Sequence, residues 1–230
     1  MLDICKNKKI MALTTAIFDM DGLIIDSEPL WYEAAVEVMN EFNISIDQEA
    51  YNTTTGLRTK EFLHYWFSMH NINLGEIDYY EKKITDIVIS KVNEGGTTME
   101  GVHHALKLIK DHGIKIGLAS SSPMALIETV LSKTGLTDAF TITTSAEHLP
   151  YGKPHPQVYL DCAQSLGSEP TSCFCLEDSF NGMLAAKSAR MKCIVVPHPA
   201  QFNEGRWHAA DLSLNSLTML TSKNLADLNK

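Results

Sequence analysis

The spacing of hydrophobic residues changes along the chain and divides it into two kinds of region. Short apolar runs, bounded by polar or turn residues, predict buried strands before about residue 25 and after about residue 96. Helical stretches separate the later runs, an alternation that is typical of a parallel, doubly wound α/β sheet. The predicted strands are 16–18, 114–119, 140–144, 173–176 and 193–196.

Apolar residues between about 27 and 94 instead recur every three or four positions, which predicts helices and loops without strands. Pro29 suits the first turn of a helix, Asp47 begins a short helix, and Thr59 is predicted to cap a third. Two glycines, Gly95 and Gly96, end this region. The two longer helices after the Asp47 helix are predicted at 60–70 and 76–93, with a loop at 54–58 between them and the preceding short helix.

This pattern predicts two domains. We expect residues 1–25 and 96–230 to form one α/β core, and residues 26–95 to form an all-helical cap inserted over its mouth. The chain passes between the two regions near 23–27 and again near 93–96, and these two crossings would form the hinge of a lid.

Helices are also predicted between the strands of the core. Pro123 suits the first position of one of them, and Ser122 is therefore predicted to be its N-terminal cap. Gly135 and Gly167 lie where C-terminal caps belong. The predicted core helices are 102–111, 124–134, 157–166, 181–190 and a last one within 216–230.

The first candidate chemistry lies in the stretch 16–28. Asp19 and Asp21 directly follow the first apolar strand, and Gly22 supplies a tight turn. Ligands of open α/β sheets bind just outside the carboxyl ends of the strands. Two carboxylates this close repel each other unless a cation or a shared proton relieves the repulsion. We therefore predict a divalent-metal site in which one Asp attacks and the other moves protons, although a plain surface turn explains Asp and Gly equally well.

The charge balance limits the partners. The chain has 19 basic and 28 acidic residues, which gives a net charge of −9. Nucleic acids and anionic membranes both favour basic surfaces, so neither is expected to bind. No apolar run approaches the roughly 18 residues that a membrane span needs. We expect a small-molecule substrate and a monomeric protein.

The cysteines and the N-terminal residues indicate where in the cell the protein is expected. The five cysteines include no Cys-x-x-Cys pair and lie mostly in apolar segments, so we interpret them as small core residues. This usage is typical of a reducing environment and predicts a cytoplasmic location. Residues 1–12 carry lysines but no apolar signal core, and we interpret them as a frayed leader rather than a secretory signal.

Polar residues also follow the second predicted strand and a later loop. Ser120 and Ser121 come directly after strand 114–119, where a hydroxyl and free helix N-terminal amides form a seat for an anion. Lys153 precedes Pro154, which biases Lys153 toward an extended backbone and keeps it out of the next helix. We therefore expect Lys153 to point a single cation inward at a fixed place.

Glu177 and Asp178 directly follow the buried strand 173–176. Charge beside a core is costly unless it binds something, so this pair is hard to explain as a stabilising feature. Together with Asp19 and the carbonyl region of Asp21, the pair would supply hard oxygen ligands for Mg²⁺.

The order of these motifs resembles the haloacid dehalogenase superfamily, in particular its β-phosphoglucomutase-like branch, which has a helical cap after the first motif. Residues 17–31 and 153–163 are similar to bacterial phosphatases of this branch that act on 2-deoxyglucose 6-phosphate and hexitol phosphates. The resemblance covers nearly the whole chain and implies a Rossmann-like parallel sheet core with a mobile cap. The motifs are Phe18-Asp19-Met20-Asp21-Gly22, Leu118-Ala119-Ser120, Lys153-Pro154 and Leu176-Glu177-Asp178-Ser179.

The resemblance implies a Mg²⁺-dependent phosphatase of sugar or sugar-alcohol phosphates. Asp19 would attack phosphorus and form an aspartyl-phosphate, and Asp21 would protonate the leaving oxygen and later activate water. Mg²⁺ would be held by Asp19, the main-chain carbonyl of Asp21 and Asp178, while Glu177 is open to either direct ligation or an orienting role. The residues implied to bind the phosphate oxygens are Ser120, the amide of Ser121 and Lys153.

Two cap residues bear on specificity and on the alternatives. Arg58 is the candidate for contacting the substrate, with a solvent-facing side chain as the equal alternative. Trp31 stands where the resemblance implies a His in the mutases, which favours a hydrolase over a β-phosphoglucomutase-like isomerase. A non-catalytic phospho-acceptor resembling a receiver domain is a third interpretation, but such a domain has no use for the cap.

Overall fold

The computed structural model describes residues 12–54 and 57–230. The predicted leader lies outside these ranges except for its last residue, as do two residues of the predicted 54–58 loop. The strands are β1 (Thr15–Phe18), β2 (Lys115–Ser120), β3 (Ile142–Ser145), β4 (Cys173–Glu177), β5 (Lys192–Val195) and β6 (Leu212–Ser213).

These strands form a six-stranded sheet in the order β3-β2-β1-β4-β5-β6, and every neighbouring pair is parallel. The predicted α/β class with a parallel, Rossmann-like sheet is confirmed. The first five strands match the predicted runs within two residues at each end. The sixth strand was not predicted, because two residues are too few to show a period.

Helices connect the strands of the sheet, and helices also make up most of the segment between β1 and β2. Four of them, α1 to α4, follow β1 in sequence, and both α1 and α3 pack against α4. The division into a core and a cap at residues 26–95 stays a prediction. The helices are α1 (Glu28–Asn40), α2 (Gln48–Asn52), α3 (Thr59–Met69), α4 (Ile77–Gly95), α5 (Val102–Asp111), α6 (Met124–Lys133), α7 (Gln157–Ser165), α8 (Phe180–Ser188) and α9 (Ser222–Leu228).

Two predicted helix caps were wrong. Arg58, not Thr59, precedes the first turn of α3, and the Arg58 main-chain N–H donates to the Glu61 carboxylate at 3.1 Å. Pro123 occupies the cap position of α6, and Ser122 makes no capping bond because its hydroxyl donates to the half-buried Asp21 carboxylate instead. Ionised acceptors form stronger hydrogen bonds than neutral ones, so the carboxylate wins the competition for this hydroxyl.

The hydrophobic core has two parts, one on each face of the sheet. All of β1 is buried, and its alternation sends Ala16 and Phe18 into one cluster and Ile17 into the other. Burial on both faces explains why β1 reads as a continuous apolar run.

Four described cysteines are buried and unbridged. Burial raises the pKa of Cys162 to about 12 and that of Cys173 to about 11, so both stay protonated thiols inside the core. Among the described helices, none has both the length and the apolar content needed to cross a bilayer.

The register of the sheet sets the position of the functional residues. Phe18, the last residue of β1, lies opposite Leu118 on one side and Leu176 on the other. The three central strands therefore end at nearly the same level, and the residues that follow them meet at one edge. The Asp19 main-chain N–H, which donates to the Leu176 carbonyl at 2.9 Å, extends this pairing one residue beyond β1.

Candidate active site

Lys153 lies at the centre of the carboxyl edge of the sheet, with its side chain buried. Its Nζ is 2.5 Å from Asp19 Oδ1 and 2.7 Å from Glu177 Oε1. It is also 3.0 Å from the Tyr159 hydroxyl and 3.2 Å from the Ala119 carbonyl oxygen. The structure thus joins the ends of β1, β2 and β4 through one ammonium group, across a separation of 134 residues between Asp19 and Lys153.

The charges of these groups influence one another's pKa values. Burial raises the pKa of Asp19 to about 8, an effect that the neighbouring ammonium of Lys153 opposes. Burial also disfavours the charged form of Lys153, but Asp19 and Glu177 outweigh it and raise the Lys153 pKa. Lys153 therefore stays cationic, and a further cation beside Asp19 would favour the ionised carboxylate.

Glu177 is fully buried and both of its oxygens accept hydrogen bonds. Oε1 accepts from Lys153 and from the Tyr159 hydroxyl at 2.5 Å, and Oε2 accepts from the main-chain N–H and hydroxyl of Ser179 at 3.2 and 3.1 Å. A Cβ at position 182 would lie 1.7 Å from Glu177 Oε1, so Gly182 is what leaves room for this carboxylate. These donors use the acceptor capacity that a metal would need and favour an orienting role for Glu177.

Asp178 lies close to Asp19 and Glu177 and packs against Gly22. Gly22 has φ +69°, and a Cβ there would lie 2.1 Å from Asp178 Oδ2, so glycine satisfies both the turn and the close approach. Burial first, and then Glu177 and Asp19, raise the pKa of Asp178 well above its ordinary value. This carboxylate is costly to ionise unless a cation accompanies it.

These acids fit a divalent metal. One oxygen each from Asp19, Glu177 and Asp178 lies within 4.8 Å of the others. Carboxylate oxygens are the ligands that hard cations such as Mg²⁺ and Ca²⁺ prefer. Three acids share the single buried ammonium of Lys153, so the cluster has an excess of negative charge that a dication held by Asp19 and Asp178 would offset.

Asp21 is held on both oxygens by hydroxyl and indole donors. Oδ1 accepts from the Ser27 hydroxyl at 2.7 Å and from Trp31 Nε1 at 3.0 Å. Oδ2 accepts from the Ser122 hydroxyl at 2.7 Å and from the Ser120 hydroxyl at 3.4 Å. Ser27 and Ser122 were missed as partners of Asp21, and only the tight Asp-x-Asp-Gly turn hinted that Asp21 would face both flanking loops.

Arg58 lies at the wall of the site but its donors are engaged by the protein. Its Nη1 donates to the Leu149 carbonyl at 2.9 Å and its Nη2 to the Pro150 carbonyl at 3.3 Å. Nε and Nη2 also donate to Glu61 Oε1 at 3.0 and 2.8 Å. A Cβ at Gly152 would lie 2.7 Å from Arg58 Cδ. Arg58 therefore joins the start of α3 to the loop that leads to Lys153.

All seven residues proposed from the sequence line one cavity of about 1780 Å³. Asp19, Asp21, Asp178 and Lys153 meet at its floor, where the strands end. The region between β1 and β2, including Trp31, forms the opposite wall of the cavity. The cavity is large enough for a substrate larger than phosphate. The seven residues are Asp19, Asp21, Arg58, Ser120, Ser121, Lys153 and Asp178.

Known proteins are similar to this chain in sequence and in fold. The haloacid dehalogenase-like hydrolase family matches residues 16–196. Hexitol phosphatase B of Escherichia coli K12 is 45% identical over 214 residues, which cover 93% of this chain and 96% of that protein. Fructose-1-phosphate phosphatase of the same organism is 30% identical over 184 residues, covering 78% of this chain and 94% of that protein. The crystal structure of β-phosphoglucomutase from Clostridium difficile aligns with a TM-score of 0.84 at 26% identity, covering 94% and 97% of the two chains.

Proposed function

We propose that Asp19 is the nucleophile that cleaves sugar or sugar-alcohol phosphates. The premise is that this chain belongs to the haloacid dehalogenase-like hydrolases and is a phosphatase. The observation that carries the proposal is the Asp19 carboxylate, which lies 2.5 Å from the buried Lys153 ammonium and within one acidic cluster. An attacking carboxylate must approach a phosphate anion, and this needs concentrated positive charge at the same point.

The reaction would proceed in two steps. In the first, an Asp19 carboxylate oxygen bonds to phosphorus, the bond from phosphorus to the ester oxygen breaks, and Asp21 gives its proton to the departing alcohol. In the second, Asp21 takes a proton from water, the resulting hydroxide bonds to phosphorus, and the bond to Asp19 breaks. Inorganic phosphate leaves and Asp19 is restored.

Lys153, the Ser120 hydroxyl and the Ser121 amide would bind the non-bridging phosphate oxygens. Glu177 and Tyr159 hold the Lys153 ammonium in place before substrate arrives, so little reorganisation is needed at the moment of reaction. A Mg²⁺ ion held by Asp19, the Asp21 carbonyl and Asp178 would offset the charge of the phosphate when bound.

The substrate class is proposed from the cavity and from the relatives. The cavity offers polar and aromatic side chains beyond the floor, as hydroxyl-rich sugars and polyols require. The 45% identity to a hexitol phosphatase supports sugar-alcohol phosphates such as sorbitol 6-phosphate, and 2-deoxyglucose 6-phosphate is a further candidate. A phosphate-release screen over hexose, 2-deoxyhexose and hexitol phosphates, with and without Mg²⁺, tests the class directly. Free phosphate from none of these substrates would refute the proposal.

Metal removal is expected to abolish the activity, and Asp178→Asn to weaken metal use. Excess EDTA should stop phosphate release and added Mg²⁺ should restore it. The amide in Asp178→Asn keeps the shape but loses the charge, so the Mg²⁺ concentration for half-maximal rate should rise about 10- to 100-fold. Asp26→Asn, an acid of the same cavity outside the cluster, serves as the control. Equal Mg²⁺ dependence in Asp178→Asn and wild type would exclude Asp178 as a ligand.

Trp31→Phe is expected to impair substrates with poor leaving groups selectively. Trp31 Nε1 donates to Asp21 at 3.0 Å, and the variant keeps an aromatic ring while it removes that donor. Phosphate release from sorbitol 6-phosphate, whose alkoxide must be protonated, should fall about tenfold in kcat/KM. The value for p-nitrophenyl phosphate, whose leaving group needs no proton, should change less than about threefold.

Trp66→Phe is the matched control for this variant, because the Trp66 indole N–H donates to Thr54 away from Asp21. It should leave the ratio between the two substrates unchanged. Equal losses on both substrates in Trp31→Phe would show that Trp31 supports the fold rather than the proton transfer.

A further inference from the structure

The cations that line the cavity are already paired with acids. In the described part of the chain, each Lys or Arg that lines the cavity forms an ion pair with a carboxylate, so away from Lys153 the cavity offers a second anion no unpaired cation. These pairs are Arg58 with Glu61, Lys60 with Asp78, Lys82 with Asp86, Lys153 with Asp19 and Glu177, and Arg206 with Glu204.

Glu28 presents the opposite situation. It is the first residue of α1, half-buried at the cavity wall, and its side chain forms no hydrogen bond or ion pair with any other described residue. Burial first, and then the nearby carboxylates of Asp21 and Asp26, raise its pKa to about 7. The Glu28 carboxylate lines the same cavity as Asp21, and above about pH 7 its ionised form predominates there.

The surroundings of Glu28 suit hydroxyl groups. Tyr51 lines the same wall, and burial, together with Glu28 and Asp21, raises the pKa of its phenol, which stays a protonated donor. An ionised carboxylate only accepts hydrogen bonds, whereas alcohols donate them. Because Asp21 would contact the leaving oxygen, the carbons next to that oxygen would lie near Glu28 and Tyr51.

We propose that Glu28 selects phosphate esters of neutral, hydroxyl-rich alcohols and rejects esters whose leaving group carries a carboxylate or a second phosphate. This inference rests on the proposed phosphatase function. Hydroxyls would donate to the Glu28 carboxylate, while an anionic leaving group would meet a like charge with no unpaired cation nearby. Arg58, the cation that the sequence suggested for substrate contact, already donates to Glu61 and to two main-chain carbonyls.

Two substrate pairs test the proposal, each differing only in a terminal hydroxyl against a terminal carboxylate. They are glycerol 3-phosphate against 3-phosphoglycerate, and sorbitol 6-phosphate against 6-phosphogluconate. At pH 8 with saturating Mg²⁺, wild type should prefer the neutral member of each pair by at least about tenfold in kcat/KM. Wild type that hydrolyses both members of each pair equally would overturn the proposal without any variant.

Glu28→Gln keeps the shape of the side chain and removes its charge. It should lower kcat/KM for the neutral esters about threefold to tenfold and raise it for the carboxylate esters, so that the preference shrinks about tenfold or more. Glu37→Gln, on an exposed position of the same helix, should leave the preference unchanged. Thermal unfolding of each variant tests whether the variant is folded.

An equal loss on all four substrates in Glu28→Gln would show a structural role and contradict the proposal. Failure of the phosphatase function itself would look different, because no substrate would then release phosphate in wild type. A wild-type preference for the neutral esters that persists unchanged in Glu28→Gln would assign the selectivity to another residue.

Discussion

Asp19→Asn is expected to stop phosphate release, lowering kcat by at least about four orders of magnitude, while sugar phosphate still binds. The amide has nearly the shape of the carboxylate but is not a nucleophile, so no bond to phosphorus can form. Lys153 keeps its contacts with Glu177 and Tyr159, and the phosphate site therefore persists. Phosphate release and calorimetric binding of sorbitol 6-phosphate measure the two effects separately.

The covalent step can be tested on the same variant. Acid-quenched wild-type protein should carry phosphate bound to Asp19 during turnover, detected by mass spectrometry, and Asp19→Asn should carry none. Asp138→Asn, which neutralises an exposed acid, should behave like wild type. Turnover near the wild-type rate in Asp19→Asn would remove Asp19 as the nucleophile.

Lys153→Met is expected to lose both activity and stability. The ammonium would no longer neutralise the phosphate, and kcat/KM should fall by at least about a thousandfold. The fully buried Glu177 would lose its cation as well, which for a broken buried ion pair costs about 3–5 kcal/mol of unfolding free energy. Urea unfolding and phosphate release measure the two losses.

The stability loss of Lys153→Met should depend on pH with a definite sign. Burial already raises the pKa of Asp19 to about 8, and removal of the ammonium would raise it further. Wild type holds the same Asp19 proton up to about pH 8, so below that pH the two proteins lose stability with the same slope; above it, only the folded variant still holds the proton, and its stability continues to fall. The deficit against wild type should therefore be larger at pH 9 than at pH 6.

Two further variants separate the causes. Lys153→Met combined with Glu177→Gln should recover part of the lost stability, because the buried charge is gone, but none of the activity. Lys192→Met removes a half-exposed ammonium that pairs with Asp211, and such a pair contributes only about 0–1 kcal/mol. A Lys153→Met protein as stable and as active as the Lys192→Met protein would show that the Lys153 ammonium is solvated rather than built into the site.

Local patterns in the sequence were sufficient to predict most of the elements. The helix predicted at 102–111 has these bounds in the structure, and the strand predicted at 173–176 is one residue longer. The predictions failed where a residue had two possible partners. Ser122 could cap α6 or bind Asp21, and only the folded chain brings the second partner within 2.7 Å.

Arg58 shows a second kind of limit. Its place in a loop after the first motif suggested a cation that faces substrate, and Glu61, three residues later, was the competing partner that the local sequence offered. The structure places the carbonyls of Leu149 and Pro150 against it, 91 and 92 residues away. The role of Tyr159 was missed for a similar reason, because its position on α7 is equally typical of a plain core aromatic.

The sequence by itself determined that strands alternate with helices and that acids, serines and a lysine follow particular strands. Parallel strands share one direction, so these strand ends meet at one edge whatever the detailed packing. Only the tertiary structure decided which oxygen each donor serves, that Glu177 is saturated by protein donors, and that the Glu28 carboxylate is left unpaired at the cavity wall. Those outcomes depend on distances between residues far apart in the chain, and neither periodicity nor local motifs carry that information.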